Sequence, residues 1–120
     1  MDIIKFFFQL STTLKLYHWK TSVYSRHISS GTLYDQVILA TDTFMETYFG
    51  RYGKGDISSV KSACPLLNDN DIVEFLRECV SYLNDIVKNG YISQNDTDLI
   101  NMRDDLIGNI NKTLYLFTFN

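Results

Sequence analysis

The sequence predicts an all-α protein, one domain of four helices with a long crossover between the second and the third. Three observations point there. Four segments repeat apolar residues at threes and fours, the period of a helix with one buried face. The chain of 120 residues holds a single proline and six glycines, which leaves room for long helices. No stretch alternates apolar and polar residues for long enough to make a surface strand.

The first helix is expected over about residues 3–22, with Ile3, Phe7, Leu10, Leu14 and Tyr17 on one stripe and Asp2 as a cap. The second is expected over about 30–49. Leu33, Val37, Ala40, Phe44 and Tyr48 form its stripe, Ser29 or Ser30 caps it and Gly50 stops it. The third is expected over about 71–89, where Asp71 and Glu74 have the spacing of a capping box. Ile72, Leu76, Cys79, Leu83 and Ile86 follow at helical spacing, and Asn89-Gly90 ends the run. The fourth is expected over about 95–117, carrying Leu99, Met102, Leu106, Ile110, Leu114 and Phe117.

Connection lengths set the topology. About seven residues join the first two helices and about four join the last two, so each pair is an antiparallel hairpin. The stretch "RYGKGDISSVKSACPLLNDN" is long for a loop inside one domain. It is the length needed to run back along the bundle, as in ferritin-like four-helix bundles with a single crossover. A short helix is expected within it, near Ser58–Ser62.

Composition narrows the function classes. Eleven basic residues against fourteen acidic give a net charge of −3, and no Lys/Arg run exists, which argues against nucleic acid as a partner. No segment is long and apolar enough to span a bilayer. "MDIIKFFFQL" is interrupted by Asp2, Lys5 and Gln9 and reads as an amphipathic helix rather than a signal peptide. Cys64 and Cys79 lack metal-site spacing and a disulfide-rich context, which suits a reducing compartment. The expected location is cytoplasmic.

The stretch "YHWKTSVYSRH", Tyr17 to His27, holds both histidines and the only tryptophan. His18 falls at the end of the first helix and His27 at the start of the second. On the second helix Asp35, Asp42 and Glu46 fall within about 40° of one another, and Asp42 and Glu46, one turn apart, can hold a cation between them. Each feature has an ordinary reading as well. Acidic helix faces are usually solvated, a histidine near a helix end often caps it, and Tyr17 and Trp19 suit core or interface positions.

Asp42 follows His27 by fifteen residues, about 22 Å along a helix. Histidines and carboxylates therefore cannot share a site within one subunit. Two copies with antiparallel faces made of the first two helices solve this, giving two sites about a two-fold axis.

"LKLYHW", followed by His27, Tyr34, Asp42 and Glu46, resembles the Dps branch of the ferritin-like superfamily, the mini-ferritins. That family's pattern is a His-Trp pair ending the first helix and a second His opening the next. A Tyr, an Asp and a Glu follow at the spacing seen here. "DLINMRDDLIGNINKTLYLF" is also similar to the last Dps helix, and the whole is similar to short Dps-like proteins of phages and large DNA viruses. The resemblance implies metal ligands His18 and His27 from one chain and Asp42 and Glu46 from its partner, holding iron as one or two ions, with zinc as a substitute. It implies Fe(II) oxidation, a ferroxidase activity. Asp35, Tyr34 and Trp19 would support the site, Asp35 by adding an outer ligand or by hydrogen bonding His27 of its own chain.

The chain departs from the family in a shorter His18–His27 loop, a short crossover and the lack of a basic N-terminal tail. These departures argue against a twelve-subunit shell, mineral storage and DNA binding. They leave the homodimer intact, with a higher oligomer as its extension. The alternative is a non-enzymatic ferritin-like scaffold, a virion or assembly protein without iron chemistry, which would place it in the host cytoplasm or the virion.

Overall fold

A computed structural model describes residues 2–61 and 64–119. Its helices are α1 (Asp2–Lys20), α2 (Tyr24–Tyr52), α3 (Asp71–Asn84) and α4 (Thr97–Leu116), with a 3-10 turn at Ile57–Ser59. There is no strand among the described residues. α2 packs on both α1 and α4, and α3 packs on α4. Phe6 of α1 stacks on Tyr82 of α3 with ring centroids 4.2 Å apart, which closes the bundle. The four helices and the long crossover are as the stripes and loop lengths predict.

The stripes make the core because each places its apolar side chains on one helix face. Ile3, Phe7, Leu10, Leu14 and Tyr17 are buried on α1, and Leu33, Val37, Phe44 and Tyr48 on α2. Ile72, Leu76, Cys79 and Leu83 meet Leu99, Leu106 and Ile110 from the other side. α2 has 29 residues, about 43 Å of helix. It therefore runs the full 43 Å length of the molecule.

The boundaries correct several expectations. α2 begins at Tyr24, not near residue 30, so the first connection is only residues 21–23. Ser29 and Ser30 do not cap it. They lie buried inside the helix and bond back to the carbonyls of Ser25 and His27. Tertiary contacts hold the added turn: Ser25 Oγ donates to the Phe119 carbonyl at 3.0 Å and Arg26 Nη1 to that of Asp69 at 2.7 Å. Gly50 is not the stop either. The helix runs on to Tyr52, and Gly53, with φ of 82°, turns the chain away.

α3 ends at Asn84 rather than near residue 89, and residues 85–96 join it to α4. Arg103 of α4 donates to the Leu83 carbonyl at 2.9 Å, which offers that acceptor a partner other than the next helical N–H. The capping box at Asp71 and Glu74 does not form. Asn68 Oδ1 instead accepts from the N–H groups of Asn70 and Asp71, both at 2.9 Å. The short helix expected near Ser58–Ser62 is the turn Ile57–Ser59, and Ser62 and the side chain of Asp2 lie outside the described residues. Among the described residues no helix is long and apolar enough to cross a membrane.

Candidate metal centre

The corner between α1 and α2 brings both histidines together. Their rings stack with centroids 3.9 Å apart and planes 14° from parallel. His18 Nδ1 donates to the His27 carbonyl at 2.6 Å, and His27 Nδ1 donates to the His18 carbonyl at 2.8 Å. A carbonyl oxygen only accepts, so each Nδ1 carries a proton, and in the neutral ring that leaves the lone pair on Nε2.

The arrangement has a local cause. The last carbonyls of a helix lack intrahelical partners. At the end of α1 the Tyr17 carbonyl takes the Thr21 N–H at 2.9 Å, and the His18 carbonyl takes the imidazole of His27. Ser30, fully buried beneath, places its Oγ 3.4 Å from His18 Nδ1 and donates to the His27 carbonyl at 3.3 Å.

A second polar cluster fixes the corner to the end of the crossover. Asp69 Oδ1 accepts from Tyr17 and from Thr21, both at 2.7 Å, and Arg26 Nη1 donates to the Tyr17 hydroxyl at 3.1 Å. The hydrogen bonds from Tyr17 and Thr21 hold the Asp69 carboxyl below its ordinary range, while burial pushes the Tyr17 hydroxyl up.

The carboxylates stand elsewhere. Asp35, Asp42 and Glu46 are exposed on α2. Asp35 and Asp42 line an open groove between α1 and α2 together with Phe8, Ser11, Ile38 and Leu39. Because α2 is unbroken, His27 and Asp42 lie on one rod about 22 Å apart. Among the described residues no three or more of His, Cys, Asp and Glu gather where they could hold a metal ion. A single chain thus holds the histidines and the carboxylates at separate places.

Asp35 does not orient His27. It lies eight residues further along α2, about 12 Å away, and the carbonyl of His18 occupies His27 Nδ1 instead. Tyr34 and Trp19 are linked through Lys15, whose Nζ sits 4.6 Å from the Tyr34 ring centre and 5.5 Å from that of Trp19. Trp19 is 67% exposed, which makes it a surface group in the single chain.

The stack limits what the histidines can bind. An imidazole ligates in its ring plane at about 2.1 Å. Two nearly parallel rings 3.9 Å apart do not share such a point unless one rotates, so as placed the two Nε2 atoms cannot ligate the same ion. Backbone carbonyls on the opposite nitrogens are the usual outer partners of metal-binding histidines.

Sequence reasoning missed Arg26 and Asp69, read Ser30 only as a cap, and passed over Gly31, whose missing Cβ would stand 2.8 Å from His18 Cε1. The nearest signal was a glycine inside a helical pattern, four residues after His27.

No curated protein sequence and no solved structure matches this chain. A family model described as "Family of unknown function" matches residues 18–117, a span that holds both histidines and all three α2 carboxylates. On that match the chain belongs to the DUF5856 family of unknown function.

Proposed function

We propose that the protein is a Dps-like, ferritin-like iron-binding protein that works as an antiparallel homodimer. His18 and His27 of one copy meet Asp42 and Glu46 of the other, and Fe(II) is the substrate held and oxidised between them. The observation that carries the reading is the histidine pair, with both Nδ1 atoms tied to backbone carbonyls and both Nε2 atoms left as donors for a metal.

The surface supports an antiparallel partner. The corner end of α1 and α2 carries Lys15 and Lys20, and the far stretch of α2 carries Asp42 and Glu46. Between them Phe8, Ile38 and Leu39 are 47%, 45% and 70% exposed. Reversing one copy places basic against acidic at both ends and apolar against apolar in the middle.

Imidazole nitrogen with carboxylate oxygen suits Fe(II), and zinc can substitute. Near-parallel rings favour two ions per site over one. The reaction is a transfer of one electron from each of two Fe(II) ions to hydrogen peroxide, which takes up two protons and leaves as two waters. Dioxygen is the other candidate oxidant. Asp42 and Glu46 favour the more highly charged Fe(III) product, because anionic ligands gain more from the added charge.

A second reading has an observation of its own. The reciprocal bonds also latch α1 to α2, so the pair serves equally in a ferritin-like scaffold, or a viral assembly protein, without iron chemistry.

Metal titration separates the two. His27→Ala and Asp42→Ala should each abolish tight Fe(II) or Zn(II) binding. Refolding them as a mixture should restore about one intact site per heterodimer, because both lesions then fall in the same site. Wild type binding no more metal than the double mutant would leave the scaffold reading standing.

A further inference from the structure

We propose that Gly31 is the positioning residue of the histidine pair: its missing side chain lets the His18 ring lie against α2 within reach of the His27 carbonyl. A Cβ built at Gly31 would stand 2.8 Å from His18 Cε1 and 3.1 Å from Nδ1, closer than carbon atoms approach without one of them moving. The neighbour is no loose side-chain end. The ring is held at one edge by its bond to the His27 carbonyl and on one face by the stack with His27.

A glycine inside a helix is disfavoured relative to alanine, and a ring packed where the Cβ would stand is a packing reason for it. Two other helical glycines give the contrast. At Gly50 and Gly108 nothing lies within 4 Å of where a Cβ would stand. Gly31 is the helical glycine whose bare backbone touches an imidazole.

The consequence is asymmetric. In Gly31→Ala the His18 ring has to swing out, which breaks its Nδ1 bond and the stack. His27 keeps its own bond, because the acceptor is the backbone of His18 and not its ring. Gly31 thus acts through His18, holding that ring in one tautomer with Nε2 available.

The test uses the metal-free protein first. Long-range nitrogen–proton NMR of the imidazoles should show both rings protonated at Nδ1 in wild type and in Gly108→Ala. In Gly31→Ala, His27 should keep that pattern and His18 should lose it. Stability supplies a second readout through a double-mutant cycle. Gly31→Ala should destabilise the wild type but not the His18→Ala background, where no ring remains to clash. That comparison also covers the case in which Gly31→Ala alone does not fold. The third readout, which rests on the metal-binding reading, is a tenfold or greater loss of Zn(II) affinity in Gly31→Ala. An unchanged His18 spectrum, or an equal loss of stability with and without the His18 ring, overturns the proposal. If wild type takes up no Zn(II), the metal-binding reading fails, and the metal-free spectra still decide the role of Gly31.

Discussion

The hydroxyl of Tyr17, near the end of α1, donates to Asp69, 52 positions later, at 2.7 Å. That bond ties the last stretch of the crossover to the corner that carries the histidines. Tyr17→Phe keeps the buried ring and its contact with Phe117, whose centroid lies 5.7 Å away, but removes the donor to Asp69 and the acceptor for Arg26. Asp69 is close to solvent, so the expected loss is discounted below the range of a buried bond to a charged group, to about 1 kcal/mol. Urea unfolding measures it, and a midpoint equal to that of wild type would show that the bond does not hold the corner.

The opposite end of α2 predicts a response to acid and to base. The Tyr52 hydroxyl and the Ser93 N–H hold the Asp96 carboxyl below its ordinary range, and Arg51 does the same for Asp98. A depressed folded pKa contributes stability that is present in full above the unfolded value, about 4, and is lost as pH falls through the lower folded value. Asp96→Asn should therefore be less stable than wild type at pH 6, and the gap should close below about pH 4. Tyr52 has the reverse sign. Its bond to Asp96 raises its folded pKa, so that stability is present below about pH 10 and lost above it. Thermal melts across pH check both limbs, and a gap that persists at low pH would remove Asp96 as the source.

Leu39 tests the dimer. It is 70% exposed on α2 and lies in the groove with Asp35 and Asp42. Leu39→Glu puts a charge in the apolar centre of the antiparallel face and costs the isolated helix little. Sedimentation should show a dimer becoming a monomer, or a dissociation constant at least tenfold weaker, with the helix content unchanged. An assembly unaffected by the change would place the interface elsewhere.

Gly108 predicts a gain. It is exposed on α4 with open space where a Cβ would stand. Gly108→Ala should stabilise the fold by about 0.5–1 kcal/mol through helix propensity alone. Calorimetry reads the sign directly, and it should be opposite to that of Gly31→Ala.

The histidines show how much of the candidate site the sequence reveals. Their place at the corner between the first two helices follows from the apolar stripes on either side. So does their separation from Asp42, because rise per residue turns spacing into distance. The partners of their Nδ1 atoms do not follow. Those are backbone carbonyls, present at every residue, and only the tightness of the 21–23 turn selects which ones meet. Asp35 was the reasonable acceptor by residue type and is out of reach by position.

The sequence by itself determined the number of helices, the face each one buries and the long crossover. These depend on the period of apolar residues and on the lengths between them, both local properties of the chain. The tertiary structure alone decided where α2 starts, where α3 stops and how the imidazoles are held. Tyr24 joins the helix because Arg26 and Ser25 find acceptors on Asp69 and Phe119, and α3 gives way where Arg103 takes the Leu83 carbonyl. Helix ends and histidine tautomers are settled by whichever donor or acceptor arrives, and here those groups come from distant parts of the chain or from a backbone that only a close turn brings into reach.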